Sequence, residues 1–365
     1  MKIGFYLSHP AHFHLFKNII GRLRERHEVF VLYNKKDVLH NLIVESDFAD
    51  ISSEIKTNVK VSSKAGLLLQ FSLKVLGAYR IFRRQKADVI VGTSIIIAML
   101  GRILHFKSII VNEDDFDIVK KTADFGYPYA DTILAPVVCR TTYFEKKTVK
   151  YEGYHELAYL HPNHFNPDKS IVAKYFQPDQ VYYIIRFVKL AAHHDEGIKG
   201  INSKIAMEIV KILSPHGKVF ITSERELEPE LEAYRININP IDMHHAMAYS
   251  RLYIGDSQTM AAEAAVLGVP FIRFNDFVGR ISYLNELENK YELGYGIKTD
   301  KIPDLYSTIR KLIETRDLKQ LFQEKRKRML AEKIDVSLFM TWFIENYPQS
   351  IEVINQNPSY ANRFR

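Results

Sequence analysis

A single cysteine, Cys139, is all the thiol chemistry this chain has. It can form no intramolecular disulfide and no multi-cysteine zinc or iron–sulfur site, which fits a reducing compartment; the cytoplasm is the simplest expectation. Long apolar runs are also missing. Stretches such as "TSIIIAML" fall far short of the roughly 20 residues that cross a bilayer. The N-terminus opens on the strand-like "KIGFYL" without the charged, apolar and small-residue regions of a signal peptide, so export is not expected. No internal repeat or low-complexity run occurs. Acidic residues are outnumbered, 43 against 50 basic, for a formal net charge of +7. That balance favours an anionic partner without choosing between phosphate-bearing small molecules, nucleic acid and anionic lipid. A nucleic-acid binder would rest on charge alone, because no aromatic-interleaved basic motif is present.

The 365 residues, 47% of them hydrophobic, suffice for two domains with full cores. Strand and helix signals alternate: "KIGFYL", then "FHLFKNIIGRLRER", then "EVFVLY"; later "ADVIVG", "SIIIAMLGRILH", "SIIVNE" and "TILAP". Such alternation predicts a parallel sheet wrapped by helices. The stretch "YEGYHELAYLHPNHFNPDKS", with Gly153, Pro162 and Pro167, reads as an irregular linker. The same grammar then restarts with "VYYIIRF", "INSKIAMEIVKILS", "KVFITSE", "IDMHHAMAYS" and "RLYIGDS". The expected organisation is an α/β domain over 1–165, a second over 166–335, and a helix with a tail over 336–365. The tail "NQNPSYANRFR" has no periodicity and is expected to fray.

Ligands of open parallel sheets bind at the carboxyl ends of the strands, which singles out four turns. "GDSQTMAAE" feeds a helix of small residues, with Asp256 or Ser257 at the N-cap, so free backbone N–H groups and the positive helix end suit a phosphate. The same residues would also make an ordinary capped helix. Glu263, alone among Ala261, Ala262, Ala264 and Ala265, must face solvent or line a cavity, and a carboxylate at that depth suits the hydroxyls of a ribose. "SHPAHFHLFK" places His9, His12 and His14 at a strand-to-helix junction; a neutral histidine with a pKa of about 6.5 serves as a general base, or else caps a helix or packs in a core. "VNEDDFD" supplies Glu113, Asp114, Asp115 and Asp117 as base, sugar acceptor, cation ligand or plain acidic turn. "RFVKLAAHHDEGIKG" holds Arg186, Lys189, His193, His194, Asp195 and Lys199. Adjacent histidines rarely share one ion, and no metal site is expected.

The polar turn, small-residue helix and Glu263 together resemble the nucleotide-binding helix of GT-B glycosyltransferases and of UDP-N-acetylglucosamine 2-epimerases. Where those relatives carry glycines, this chain has Gln258 and Thr259, whose side chains can themselves donate hydrogen bonds. More broadly, "MKIGFYLSHPAHFHLFKNII", "YEGYHELAYLHPNHFNPD", "HHDEGIKG" and "IGDSQTMAAEAAVLGVPFIRFNDFVGRISYLNELE" look like the microbial family catalogued as domain of unknown function 354, over perhaps residues 1–300. The resemblance implies a GT-B-like fold, two Rossmann-like domains facing an interdomain cleft. It implies that Ser257, Gln258, Thr259 and Glu263 hold a nucleoside diphosphate and its ribose, and that Arg186 and Lys189 neutralise the diphosphate without a metal. Ser223 and Glu224 would lie near the base or ribose, and Met243 and His244 would close over the base. His12 or His14 would act on the acceptor, with Glu113 and Asp114 as further acid–base candidates.

The expected function is therefore a glycosyltransferase that moves a sugar from a nucleoside diphosphate donor, UDP favoured, to a glycan or lipid-linked acceptor in cell-surface polysaccharide synthesis. No cofactor beyond the nucleotide-sugar donor is expected. One alternative is a nucleotide-sugar epimerase or hydrolase on the same scaffold. Another is a metal-dependent hydrolase, suggested by His12-x-His14 after the first strand, although that would need a barrel of eight strand–helix units. Finally, "KAGLLLQFSLKVLGAYRIFRRQKAD" sets apolar residues at helical spacing beside Lys74, Arg80, Arg83 and Arg84. It suits an anionic membrane surface, or a helix packed on its own sheet with solvated basic ends.

Overall fold

A computed structural model describes residues 1–36, 38–56, 64–188 and 200–365. Contacts divide the chain into two units: Met1–Tyr159 with Ile334–Arg365, and Leu160–Lys333.

In the first unit, β1 (Lys2–Leu7), β2 (Glu28–Asn34), β3 (Ser52–Ile55), β4 (Val89–Gly92), β5 (Lys107–Val111), β6 (Thr132–Pro136) and β7 (Thr148–Tyr151) form one sheet in the order β3-β2-β1-β4-β5-β6-β7. Every pairing is parallel. The central strands are covered on both faces, which is why they read as unbroken apolar runs instead of alternating ones. The helix α1 (Pro10–Leu23) starts where Pro10 forbids a strand and the His9 ring accepts the Ala11 N–H. Its Phe13, Phe16, Ile20 and Leu23 recur at helical spacing and are buried. Each such burial stabilises the fold by roughly 1.5–3 kcal/mol. The helices α2 (Lys64–Gln85) and α3 (Ile95–Leu104) connect β3 to β4 and β4 to β5.

The helix Val336–Glu345 packs on α1, capped by Asp335, whose carboxylate accepts the Leu338 N–H, and a further helix, Gln349–Gln356, follows it. Glu345 pairs with Arg26 and His27, and the Tyr347 hydroxyl meets Thr132 Oγ1 at 3.0 Å. The tail carries local structure. Residues Pro358–Phe364 form a 3₁₀ turn, the Tyr360 and Phe364 rings stack on Trp342, and the Asp335 N–H donates to the Phe364 carbonyl. Aromatic burial holds a segment whose sequence has no period. The boundary between the units, after Tyr159, falls inside the expected linker, whose first part is packed in the first unit with Tyr154, Glu156, Leu157, Ala158 and Tyr159 buried.

In the second unit, β8 (Tyr182–Phe187), β9 (Lys218–Ser223), β10 (Leu252–Gly255), β11 (Phe271–Phe274) and β12 (Gly294–Ile297) form a parallel sheet in the order β12-β11-β10-β8-β9. Its helices are α4 (Ser203–Leu213), α5 (Met243–Tyr249), α6 (Gln258–Leu267), α7 (Ser282–Asn289), α8 (Ile302–Glu314) and α9 (Leu318–Glu332). Two open sheets replace the closed barrel that a metal-dependent hydrolase of the barrel type would need. Strand order reverses between β1 and β4 in one unit and between β8 and β10 in the other. These are the crevices where open α/β sheets take ligands. In both, the strand across the crevice ends in a glycine close against the neighbouring strand: a Cβ on Gly92 would meet the Tyr6 carbonyl at 2.7 Å, and one on Gly255 the Arg186 carbonyl at 3.0 Å. Among the described residues no helix is long and apolar enough to cross a membrane.

Candidate functional site

In the second unit, β10 leads through Gly255 and Asp256 into α6. Ser257, not Asp256, caps that helix, its hydroxyl accepting the Met260 N–H at 3.3 Å. Asp256 turns back across the β8–β10 crevice, where its carboxylate accepts the Val188 N–H at 2.8 Å, and it is 1% exposed. Burial pushes its pKa up to about 6. Three buried polar atoms converge on this turn with no hydrogen-bond partner at bonding geometry: Asp256 Oδ2, Gln258 Oε1 and Arg186 Nε. The Tyr253 hydroxyl is buried near Arg186, Asp256 and Ser257, and burial drives its pKa well above the usual phenol value. Buried polar groups are nearly always bonded, and these exceptions stand together beside a helix N-terminus.

Around this turn several sequence-selected residues pair with one another. Arg186, at the end of β8, donates through Nη2 to Glu224, just beyond the end of β9. Ser223 is spent locally, its hydroxyl donating to the Arg225 carbonyl. Glu263 is 5% exposed and therefore interior; His244 of α5, 4% exposed, sits with Nε2 at 2.9 Å from its carboxylate. Phe165 packs edge-on to the His244 ring. Met243 opens α5 and Thr259 lies in the first turn of α6, both half-buried. Lys189, with His193, His194, Asp195 and Lys199, lies outside the described residues.

In the first unit, His12 occupies the β1–β4 crevice. Its Nδ1 accepts the Ser8 N–H at 3.1 Å, which leaves the proton on Nε2, 2.9 Å from Thr93 Oγ1. Burial, then the neighbouring His9, holds its pKa well below the ordinary histidine value, so it stays neutral. His14 is two residues on and points elsewhere, packing edge-on to Phe13 and against Tyr159. The acidic turn after β5 separates likewise. Glu113 is buried, Asp114 half-buried and Asp117 exposed, while the buried Asp115 accepts the Arg140 N–H.

Glu113 accepts the His155 N–H at 2.6 Å, and its other oxygen lies 3.5 Å from His155 Nδ1. Burial first, and then the Glu156 carboxyl, pushes the Glu113 pKa well above the carboxylate range, favouring the neutral acid. Burial lowers that of His155 to about 3. Cys139 donates its thiol proton to the Glu113 carbonyl, and burial keeps it a thiol. This strand-end cluster can hold or pass a proton. Among the described residues no group of three or more His, Cys, Asp or Glu suits a metal ion.

Residue-by-residue reading passed over Thr93, His155, Glu156 and Tyr253 as site members. His155 and Glu156 stand in "YEGYHELAYL", where a carboxylate amid apolar residues repeats the signal that drew attention to Glu263.

A family model described as "Protein of unknown function (DUF354)" matches residues 1–336. No curated protein sequence matches the chain. Among solved structures, the chain is similar to a UDP-N-acetylglucosamine 2-epimerase from Rickettsia bellii (TM-score 0.64, 12% identity, 98% of each chain covered). It is similar to the UDP-GlcNAc 2-epimerase of Methanocaldococcus jannaschii, solved with UDP-GlcNAc and UDP (TM-score 0.62, 12% identity, 87% of this chain and 94% of that one). It is also similar to the spinosyn forosaminyltransferase SpnP (TM-score 0.61, 12% identity, 93% of this chain and 97% of that one). At such identities the likeness establishes the fold, a GT-B-type pair of Rossmann-like domains.

Proposed function

The chain belongs to the DUF354 family, and on that premise we propose that it is a glycosyltransferase taking its sugar from a nucleoside diphosphate donor, UDP favoured. The observation that carries this reading is the turn before α6, where the donor Arg186 Nε lies buried without a partner beside a helix N-terminus and suits the diphosphate, while the unpartnered acceptors Asp256 Oδ2 and Gln258 Oε1 suit hydroxyl or N–H groups of the sugar or base. The diphosphate takes the α6 N–H groups and the Arg186 guanidinium, the ribose takes Glu263, and His244 keeps that carboxylate in place. No metal or other cofactor takes part. That transferases and an epimerase holding UDP share the fold supports the donor class. A sugar hydroxyl of a glycan or lipid-linked acceptor in cell-surface polysaccharide synthesis receives the group.

The protein works at the cytoplasmic side of the membrane. The exposed Leu69 and Leu76 share a helix face with Arg80 and Arg83 on α2, which supports contact with anionic lipid.

A thermal-shift panel of UDP, GDP, CMP and ADP tests the donor. UDP should raise the melting temperature, 2′-deoxyuridine diphosphate should raise it less, and Glu263→Ala should erase the difference. A folded protein that responds to no nucleotide overturns the reading. A second reading, an epimerase or hydrolase of the UDP-N-acetylglucosamine 2-epimerase type, draws on the neutral Glu113 beside His155, since proton transfer at a sugar carbon needs such a group. Conversion of UDP-N-acetylglucosamine to its 2-epimer with no acceptor present, followed by NMR, would select it.

A further inference from the structure

We propose that the second unit carries another binding site, at the amino-terminal edge of its sheet, for an amphipathic organic anion. A cavity of about 690 Å³ opens there, within the usual range for small-molecule sites. It is bordered by the residues that enter β8, β10 and β11, among them Val181, Arg251 and Pro270. The candidate nucleotide site lies at the opposite, carboxyl ends of those strands. The helix α6 separates the two: its first turn faces the nucleotide site and its capping Gly268 lines the cavity.

The wall is chiefly apolar and aromatic. Phe176 stacks on Tyr182 with centroids 4.0 Å apart, and Val172, Tyr249 and Val269 complete the surface. The tyrosine hydroxyls are already committed, Tyr182 to the Ala246 carbonyl and Tyr249 to the Pro167 carbonyl, so the rings offer their apolar surfaces. The charges at the cavity are Lys169, Arg251 and Lys319 against Asp179 alone. Neither Lys169 nor Lys319 has an ion-pair partner among the described residues; the Lys319 ammonium lies 5.0 Å from the centre of the Tyr249 ring.

Helix carboxyl ends would normally repel an anion here. They are covered. Arg326 and Gln323 take the carbonyls of Val266, Leu267 and Gly268, and Arg251 takes those of Ile313, in the last turn of α8, and of Thr315 just beyond it. What remains is an apolar pocket with uncompensated cations, which matches a ligand with an apolar body and one carboxylate, sulfonate or phosphate.

The test is a fluorescence titration of the full chain with 8-anilinonaphthalene-1-sulfonate, backed by competition. The folded wild type should bind one equivalent saturably. Lys319→Glu should weaken binding about tenfold, and Ala173→Trp, at an exposed position lining the cavity, should block it. The melting temperatures of both variants should stay at the wild-type value, and UDP should not displace the probe. Displacement by dodecanoate marks a free organic acid as the natural kind of ligand, and displacement by dihexanoyl-phosphatidylglycerol marks a lipid headgroup; either supports the site. No saturable binding to the folded protein, binding indifferent to both substitutions, or displacement by UDP overturns it. Should Ala173→Trp fail to fold, Lys319→Glu alone decides.

Discussion

The carboxyl ends of the two sheets differ in how their polar residues are arranged. In the first unit several groups pair with one another, His12 between the Ser8 N–H and Thr93 and Glu113 met twice by His155, while His155 Nε2 and the Tyr151 hydroxyl stay buried without a partner. Burial strips them of charge. In the second unit Arg186, Asp256 and Gln258 each keep a buried polar atom without a partner around one helix N-terminus. An unmet buried donor or acceptor costs about 1–3 kcal/mol, and a ligand that meets several recovers that cost as affinity. The first is a set of groups kept neutral by burial, and the second offers one buried donor and two buried acceptors around one helix N-terminus.

The contrast is sharpest in its response to pH. His155 has a folded-state pKa of about 3, below its unfolded value of about 6.5. Its contribution is full above pH 6.5 and is lost as the pH falls toward 3, a change of roughly 3–5 kcal/mol. Asp256 runs the other way. With a pKa raised from 3.8 to about 6, its contribution is full below pH 4 and is lost as the pH rises through 6, by about 2–3 kcal/mol. Urea unfolding at pH 4.5 and 7.5 should show His155→Gln relatively more stable than wild type at the acid end, and Asp256→Asn relatively more stable at the neutral end. Slopes of the same sign in both variants would erase the distinction.

Smaller effects fall on binding. Glu263→Ala should cost about 50-fold in UDP affinity by calorimetry, through loss of two charge-assisted hydrogen bonds. Arg186→Ala should cost about tenfold, since Glu224 already claims part of the guanidinium. Smallest of all, Asp117→Asn should change stability by less than about 0.5 kcal/mol and leave nucleotide affinity as it was, because its carboxylate is exposed and its bond to Arg140 lies at the surface. A binding loss for Asp117→Asn as large as that for Arg186→Ala would mean that the acidic turn of the first unit also handles the nucleotide.

Much of the fold was legible because buried parallel strands must be apolar throughout and the helices between them amphipathic. The strands that escaped notice are β3, β7 and β12, four residues each and each at the edge of a sheet. With one side unpaired they carry less apolar sequence: "SSEI", "TVKY" and "GYGI". Polar residues at strand ends could be picked out one by one, but their partners could not. His244 and Glu263 stand 19 positions apart, Arg186 and Glu224 38, Glu113 and His155 42, Val188 and Asp256 68. No local period encodes such distances; strand order does. For the same reason the reading of Asp256 as an N-cap was as open as that of Ser257 until the crevice at Val188 was seen.

The return of residues 334–365 to the first unit sets an order of events during synthesis. The Ile334 N–H donates to the Glu152 carbonyl, and the helix that follows covers α1. A nascent chain that has only reached Tyr159 therefore exposes the face of α1 that Val336–Glu345 will cover. The second unit, continuous from Leu160 to Lys333, emerges whole and can close its own sheet while the first still waits. The earlier-made unit is the later to finish.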